Sequence, residues 1–244
     1  MKYLVGVLIG AWLMGGAVQA ETLRVAYFEQ GDVPFVIRDG SKGKGIFPDL
    51  MAAIARVNGD TLSVRFLPNA RIQGEFDQGL LDLEVGANPA WRKEAKVPGL
   101  YSISFGLART VLCYRLGVHR TKDQVEDFAG ERIGTIAGYH YPEFEAAFNS
   151  HLVSRENVDN PRNLLLMLNA KRFKQVFVSK QVKDYWQAQD RASYGCQEGR
   201  TVDQAEMMIR VHPARSNILP KLNAAIESLR KSGELDTIFR RYAS

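Results

Sequence analysis

The hydrophobic pattern of the chain alternates between two periods. Short apolar or alternating runs predict strands, and longer segments with apolar residues three and four apart predict amphipathic helices. The predicted strands cover 22–28, 35–38, 61–67, 81–85, 108–114, 132–136, 175–178 and 207–211. The predicted helices cover 49–57, 72–80, 142–148, 161–169, 180–189, 218–231 and 234–241. This alternation predicts mostly parallel sheets covered by helices, in two α/β units of roughly 100 residues each.

The first twenty residues differ in character from the rest. Lys2 precedes an uncharged apolar run, and Val18-Gln19-Ala20 places small residues where signal peptidase cuts. We expect residues 1–20 to be a cleaved signal peptide. The alternative is an uncleaved anchor, but the run is short for a span of about 20 residues. No cysteine lies near residue 21, so a lipidated terminus is not expected, and the mature chain is expected in the periplasm.

Composition excludes several classes of protein. The chain has 244 residues, of which 45% are hydrophobic and 24% are charged, which excludes a disordered chain, a coiled coil and a polytopic membrane protein. The 32 basic and 27 acidic residues are interspersed and give a net charge of +5, or +4 once Lys2 is removed (31 against 27). This pattern lacks the clustered basic stripe of a nucleic-acid-binding protein, so no nucleic-acid partner is expected.

The two cysteines of the chain, Cys113 and Cys196, both lie in the part expected to be exported. An oxidising compartment favours a disulfide between them. Their wide spacing carries no geometric information, so two free buried thiols remain the alternative. No close group of histidines and cysteines has the spacing of a metal site, and no metal or other cofactor is expected.

Five segments together carry a family resemblance. They are LRVAYFEQGDVPF, GIFPDLMAAIA, AWRKEAKVPGLYSISF, DFAGERIGTIAG and LNAAIESLRKSGELDTIFRRY. Each is weak alone, but in this order and spacing they resemble the bacterial extracellular solute-binding proteins of family 3, the polar-amino-acid receptors of ABC importers. The resemblance extends from Leu23 to Tyr242 and covers nearly the whole mature chain.

The resemblance implies a type II clamshell of two α/β lobes, each a mostly parallel sheet flanked by helices. One lobe is expected at 22–106 plus 212–244, the other at 110–204, and two hinge strands near 107–109 and 205–211. Such a protein closes around its ligand by bending at the hinge.

The implied function is that of a monomeric periplasmic receptor. It would bind a small carboxylate-bearing solute, such as an amino acid or a related organic acid, for an inner-membrane ABC permease. Two alternatives stay open: a binding module of the same fold that signals to a membrane partner, and an enzyme resembling the dehydratases of this fold. No hydrolase, zinc-protease or phosphate-loop motif is present, so an enzyme is not expected.

The first candidate ligand-binding residue is Arg92, because a guanidinium donates two parallel charge-assisted hydrogen bonds to a carboxylate. In the resemblance Arg92 matches the arginine that binds the ligand carboxylate. The segment from Asp82 to Arg92 is, however, about two residues shorter than the usual pattern of the family. The alternative is a surface arginine. The second candidate is the loop Gly138-Tyr139-His140, which precedes a helix expected to have Pro142 at its first position. Exposed amides there would bind an anion; an ordinary helix cap is the alternative.

Five further positions are weaker candidates. Glu29 matches a position where the family often has an acidic residue that contacts a cationic group of the ligand. Arg71 matches a position at or next to an aromatic residue that lines the family's cleft. The alternative for both residues is a side chain that faces solvent. Trp91 and Phe105 are candidate apolar walls, with core packing as their alternative. Ser179 stands where the family's amino-acid receptors place an ammonium-binding aspartate, which puts standard amino-acid recognition in doubt. Together, Arg71, Arg92 and the adjacent Lys180 favour an anionic ligand.

Overall fold

The computed structural model of the chain describes residues 20–118 and 124–243. The expected signal peptide, residues 1–20, therefore lies outside the described residues except for Ala20. None of the helices in the described part of the chain combines the length and the apolar character needed to cross a membrane.

The described residues form strands and helices in alternation. The strands are β1 (Thr22–Phe28), β2 (Thr61–Leu67), β3 (Leu83–Ala87), β4 (Leu100–Tyr101), β5 (Gly106–Tyr114), β6 (Arg132–Ile136), β7 (Ser154–Val158), β8 (Gln175–Ser179) and β9 (Gln197–Val211). The α-helices are α1 (Ile46–Asn58), α2 (Asn69–Asp77), α3 (Glu145–Asn149), α4 (Pro161–Asn169), α5 (Lys180–Gln189), α6 (Arg191–Tyr194), α7 (Leu219–Lys231) and α8 (Glu234–Arg241).

Two long strands join two groups of strands. The order across the sheet is β2-β1-β3-β9-β5-β8-β6-β7, and β4 pairs with β9 as well. The first group holds β1, β2 and β3 in parallel, with the end of β9 antiparallel to β3. The second group holds β6, β7 and β8 in parallel, with β5 antiparallel to both β8 and β9. Because β9 pairs with β3 through 208–211 and with β5 through 197–207, it passes from one group to the other.

Local sequence explains where the helices begin and end. α1 ends at Gly59, which adopts the left-handed conformation with φ 71° that favours glycine at a helix end. α4 begins at Asn160, whose side chain accepts the amide hydrogen of Arg162 at 2.8 Å, and Pro161 occupies the first helical position. Both helices pack against the strands, α1 against β2 and α4 against β6 and β8.

The apolar core consists of three clusters. The largest extends through both strand groups, and it includes the buried side chains of Val111 in β5, Met207 in β9 and Phe105 directly before β5. A second cluster lies within the second group and is rich in aromatic rings, including Tyr141, Phe144 and Phe177. A third, smaller cluster lies under α2 in the first group. The two groups are therefore packed continuously where the long strands cross.

Most predicted elements are confirmed, and four differ. The expected strand at 35–38 is reduced to isolated bridges, and the helix expected at 72–80 begins at Asn69. The last strand begins at Gln197, ten residues before the predicted start at 207. The helix expected at 142–148 covers only Glu145–Asn149, so Pro142 precedes the helix and does not occupy its first position.

Cys113 and Cys196 are joined by a disulfide, with their Cα atoms 5.8 Å apart. This separation lies within the normal range for bonded cysteines. Cys113 is in β5 and fully buried, and Cys196 directly precedes β9. The bond therefore links the two long strands at the end of their pairing that lies in the second group.

We predict that the double variant Cys113→Ala, Cys196→Ala loses about 2–4 kcal/mol of unfolding free energy, because the bond closes a long loop in the unfolded chain. The sequence separation of the cysteines is 83 residues. Urea unfolding with and without a reducing agent measures this loss. The reductant should destabilise the wild type to the same level and leave the double variant unchanged; equal stability of all samples would contradict the prediction.

Candidate ligand-binding cleft

Most of the predicted site residues follow the ends of strands: Glu29 follows β1, Trp91 and Arg92 follow β3, the loop 138–140 follows β6, and Ser179 ends β8. β3 ends at Ala87, opposite Met208 of β9. β8 ends at Ser179, opposite Thr110 of β5, whose own partner on β9 is Asp203. Because the carboxyl ends of strands in open α/β sheets form ligand crevices, we take the loops after β1, β3, β6 and β8 as the candidate cleft.

The turn after β3 carries Trp91 and Arg92 and is fixed at its start. Gly86 has φ 78°, and a Cβ atom there would lie 2.2 Å from the ring of Phe47, so only glycine fits. The Asn88 side chain accepts the amide hydrogen of Ala90 at 2.9 Å and donates to the Glu206 carbonyl of β9 at 2.8 Å. The shorter spacing seen in the sequence thus produces a tight turn bound to the long strand.

Arg92 is held by a carboxylate of the chain itself. Its Nε donates to Glu84 Oε1 at 3.0 Å and to Oε2 at 3.2 Å, and its Nη2 also donates to Oε1. Its Nη1 donates to the carbonyl of Trp91 at 3.1 Å. The Arg92 side chain keeps 25% of its surface exposed, so the guanidinium is fixed but not enclosed.

Glu84 is the centre of a buried polar network that the sequence did not reveal. Besides Arg92 it accepts from Arg210 Nη1 at 2.8 Å and from Gln73 Nε2 at 2.8 Å. Arg210 is fully buried, stacks over Phe76 at 4.0 Å and donates to two backbone carbonyls. Burial alone would raise the pKa of Glu84, but the bonds and charge of Arg92, followed by Arg210 and Gln73, hold it below its ordinary value.

The other two cations that favoured an anionic ligand are also paired. Arg71 Nε donates to Glu75 at 2.9 Å within α2, and its side chain is 62% exposed. Lys180 lies 3.0 Å from Asp184 and 3.2 Å from Glu198. Each of the three candidate cations therefore has an acidic partner within the chain, and the expected excess of positive charge is absent among the described residues of the cleft.

The loop after β6 is organised by Arg155 of β7. Its Nη2 donates to the carbonyls of Tyr139 at 2.7 Å and Ile136 at 3.3 Å, and its Nε donates to Asn157 at 2.9 Å. Gly138 sits in the loop with φ 77°. The loop is thus built on a half-buried arginine rather than on a long helix.

Fewer amides are open in this loop than the sequence predicted. The Tyr139 amide donates to Ile136 in a turn, and the Tyr141 amide donates to Glu145 Oε1 at 3.0 Å. His140 is 87% exposed, with its Nδ1 3.8 Å from the same Glu145 oxygen. α3 begins only at Glu145 and covers five residues, so the loop Gly138-Tyr139-His140 does not directly precede the N-terminus of a helix.

The remaining candidates take varied positions. Trp91 is 43% exposed, whereas Phe105 is 2% exposed and packs edge-on against Phe47 in the core. The Glu29 backbone is bonded to Leu67 and Arg38, and its carboxylate forms no ion pair with the described residues. The Ser179 hydroxyl donates to Gln181 Oε1 at 3.3 Å.

Two half-buried carboxylates in the cleft were missed. Asp32, in the loop after β1, forms no side-chain bond with the described residues, and burial raises its pKa to about 6. Burial raises the pKa of the Tyr139 phenol in the opposite strand group, and the negative charge of Asp32 raises it further. Asp32 therefore lies close to Tyr139. Asp203 of β9 also has a raised pKa, mainly from burial. Neither stood out in the sequence, because nothing there shows which charges lack partners.

The strand order and the two crossing strands define a class: a mixed α/β protein with the type II periplasmic-binding-protein fold. No protein-family model and no curated protein matches the sequence. Solved structures do match, and the expected resemblance to family 3 solute-binding proteins is confirmed by them at the level of the fold.

Three of these structures indicate the range of the fold. An ancestral arginine-binding protein bound to arginine is 22% identical, with a TM-score of 0.70, over 91% of this chain and 98% of the other. A substrate-binding domain of a putative amino acid ABC transporter from Streptococcus pneumoniae is 18% identical, with a TM-score of 0.66, over 93% and 100%. The ancestral amino acid-binding protein AncCDT-1, a precursor of cyclohexadienyl dehydratase, is 16% identical, with a TM-score of 0.69, over 91% and 96%.

We predict that Glu84→Gln lowers the unfolding free energy at pH 7 by about 3 kcal/mol, because it leaves buried Arg210 without its countercharge. The carboxylate has a lowered pKa, so its contribution is present above its unfolded pKa of about 4.3 and is lost as the pH falls through the folded pKa. Urea unfolding at pH 7 and at pH 3 should show the penalty shrinking in acid.

The matched control is Glu156→Gln, which breaks an ion pair with Arg132 whose side chains are 63% and 41% exposed. It should cost less than about 0.5 kcal/mol at either pH. A Glu84→Gln penalty that is equally small, or that does not change with pH, would show that the network is not a charge-balanced one.

Proposed function

We propose that this protein is a periplasmic solute-binding protein that captures a small carboxylate-bearing solute, an amino acid or a related organic acid, and delivers it to an ABC importer in the inner membrane. The two lobes are 22–106 with 212–244 and 110–204, and the hinge lies near 107–109 and 205–211. The fold supports this role, because the similar solved structures include an arginine-binding protein and a substrate-binding domain of a putative amino acid ABC transporter.

The observation that carries the proposal is the anchoring of Arg92 by Glu84. A guanidinium has five N–H donors. Glu84 accepts the N–H of Nε and one N–H of Nη2, and the Trp91 carbonyl accepts one N–H of Nη1. One N–H therefore remains on each of the two terminal nitrogens. Those two hydrogens can be accepted together by a ligand carboxylate, and the guanidinium loses little conformational freedom on binding because it is already fixed.

The opposite wall is the loop Gly138-Tyr139-His140. The influence of Asp32 on the Tyr139 phenol supports a close approach of the loops from the two groups. Hinge bending is supported by the two long strands, because β9 pairs with β3 of the first group and with β5 of the second. A ligand bridging the loops would favour the closed form over the open one.

A screen of ligands by thermal shift tests the proposal. A solute that binds only the native state stabilises it by about 2.7 kcal/mol at a hundred times its Kd, which raises the melting temperature by several degrees. Amino acids, dicarboxylates and polyamines should be compared on the purified mature chain. At least one carboxylate should stabilise the protein; stabilisation by polyamines alone, or by none of the three classes, would overturn the proposed ligand class.

We predict that Arg92→Lys weakens binding of the best carboxylate by at least about tenfold, because lysine keeps the charge but loses the forked donor geometry. Isothermal titration calorimetry measures the change. Arg132→Lys is the control that should leave the Kd unchanged, because Arg132 begins β6 and pairs with Glu156 of the edge strand β7. An unchanged Kd in Arg92→Lys would remove Arg92 from the site.

A further inference from the structure

The strand β7 lies at one edge of the described sheet and pairs with β6 alone. The Ser154 amide donates to the Glu131 carbonyl at 2.9 Å, and the Val158 carbonyl accepts from the Ala137 amide at 3.1 Å. In a parallel strand the two backbone groups of one residue point to the same side, and successive residues alternate between the two sides. The even-numbered residues of β7 therefore face β6, and the odd-numbered residues face outward.

The outward edge of β7 is unpaired. The backbone N–H and C=O groups of Arg155 and Asn157 lie on that edge and form no hydrogen bond with the residues that the structure describes. Such an edge is a template on which another extended chain can add as a strand, with main-chain hydrogen bonds that supply affinity. Because β7 has five residues, its edge is suited to a short segment.

An open groove of about 680 Å³ lies beside this strand, between the strands β6 and β7 and the end of α4. Its apolar lining comes from Leu166 and Met167 of α4, which are half-buried, and from the buried ring of Phe173. Its volume is within the range of ligand-binding sites. Because Phe173 precedes β8 and Arg132 begins β6, the groove lies at the amino ends of these strands. The candidate cleft lies at their carboxyl ends, so the two sites are separate.

The groove carries two cations without counterions. Lys171 and Arg172, in the turn after α4, both line it, and their side chains form no ion pair or hydrogen bond with the residues that the structure describes. The other two charges at the groove, Arg132 and Glu156, lie 2.9 Å apart and balance each other. The net charge of the groove is therefore positive, which complements an acidic partner.

Lys171 occupies a position that favours glycine. It follows α4 in the left-handed conformation, with φ 62°. Its amide donates to the Leu168 carbonyl at 3.2 Å, and the Arg172 amide donates to the Met167 carbonyl at 2.9 Å, the pattern of a helix end that usually carries glycine. A lysine is less stable than a glycine there, and strained residues of this kind are concentrated at functional sites. The fold thus favours glycine at position 171, whereas an acidic partner favours the lysine.

We propose that the groove and the free edge of β7 dock an acidic, extended segment of a partner protein, which adds to β7 as a further strand. The main chain of the segment bonds to Arg155 and Asn157. Every second side chain lies in the groove, where acidic groups meet the two free cations and apolar groups contact the apolar lining. This docking site is independent of the solute proposed for the cleft.

The first probe is the acetylated and amidated heptapeptide Ser-Glu-Thr-Val-Thr-Glu-Ser. When it is extended, its two glutamates and its valine lie on one face. Nuclear magnetic resonance titration of the isotope-labelled mature chain should show the amide signals of Arg155 and Asn157 shifting as the peptide binds. The same peptide with lysine in place of both glutamates should not bind at equal concentrations, because the groove is positive.

Two further versions of the peptide separate strand addition from attraction between charges. Each carries N-methyl groups on every second residue, in the two alternate phases. An extended segment pairs through the amides of one of its edges only, so the two versions should differ in affinity by about tenfold or more. Equal affinities in the two versions, whether retained or lost, would overturn the proposal.

Lys171→Gly gives a readout that a structural role for the lysine would not produce. Because glycine suits the left-handed conformation, the melting temperature should equal or exceed that of the wild type, while the Kd of the acidic peptide rises about three- to fivefold. Adding Arg172→Gln should raise the Kd about tenfold or more in total. His151→Gly is the matched control, because His151 also has a positive φ of 58° but does not line the groove. It should leave the Kd unchanged.

Other results would also contradict the docking site. They are an acidic peptide that does not bind at millimolar concentration, a lysine peptide that binds as tightly as the acidic one, and an unchanged Kd in the double variant at 171 and 172. Signal shifts in the loops of the candidate cleft, with none at Arg155 and Asn157, would place the peptide elsewhere and overturn the proposal as well.

Discussion

The buried ion network around Glu84 is the constraint on which the first half of the cleft depends. Arg210 is fully buried, so without Glu84 its unpaired charge would strongly lower the unfolding free energy. The charge of Glu84 would lower it in the same way without the two arginines and Gln73. The same carboxylate orients Arg92, so the group that satisfies the interior also sets the geometry at the surface of the cleft. Glu84 therefore both balances the buried charge of Arg210 and fixes the orientation of Arg92, on a strand that pairs directly with β9.

Charge pairing changes the meaning of the cleft residues. Read singly, Arg71, Arg92 and Lys180 describe a cationic surface suited to an anion. In the fold each has an acidic partner, while Asp32 and Asp203 remain without one among the described residues. The electrostatic field at any point depends on charges that are not neutralised nearby, so the candidate cleft offers hydrogen-bond donors from Arg92 and unpaired carboxylates from Asp32 and Asp203.

The strands and helices with strong local signals were predictable, and the site was predictable only in part. β2 and α4 have their predicted bounds because the apolar alternation of one and the Asn-Pro start of the other are local features. The first ten residues of β9 were missed because QEGRTVDQAE is polar, and only pairing with β5 makes it a strand. Glu84, Arg155 and Asp203 were missed for a related reason: a role set by long-range partners leaves no pattern in the sequence around it.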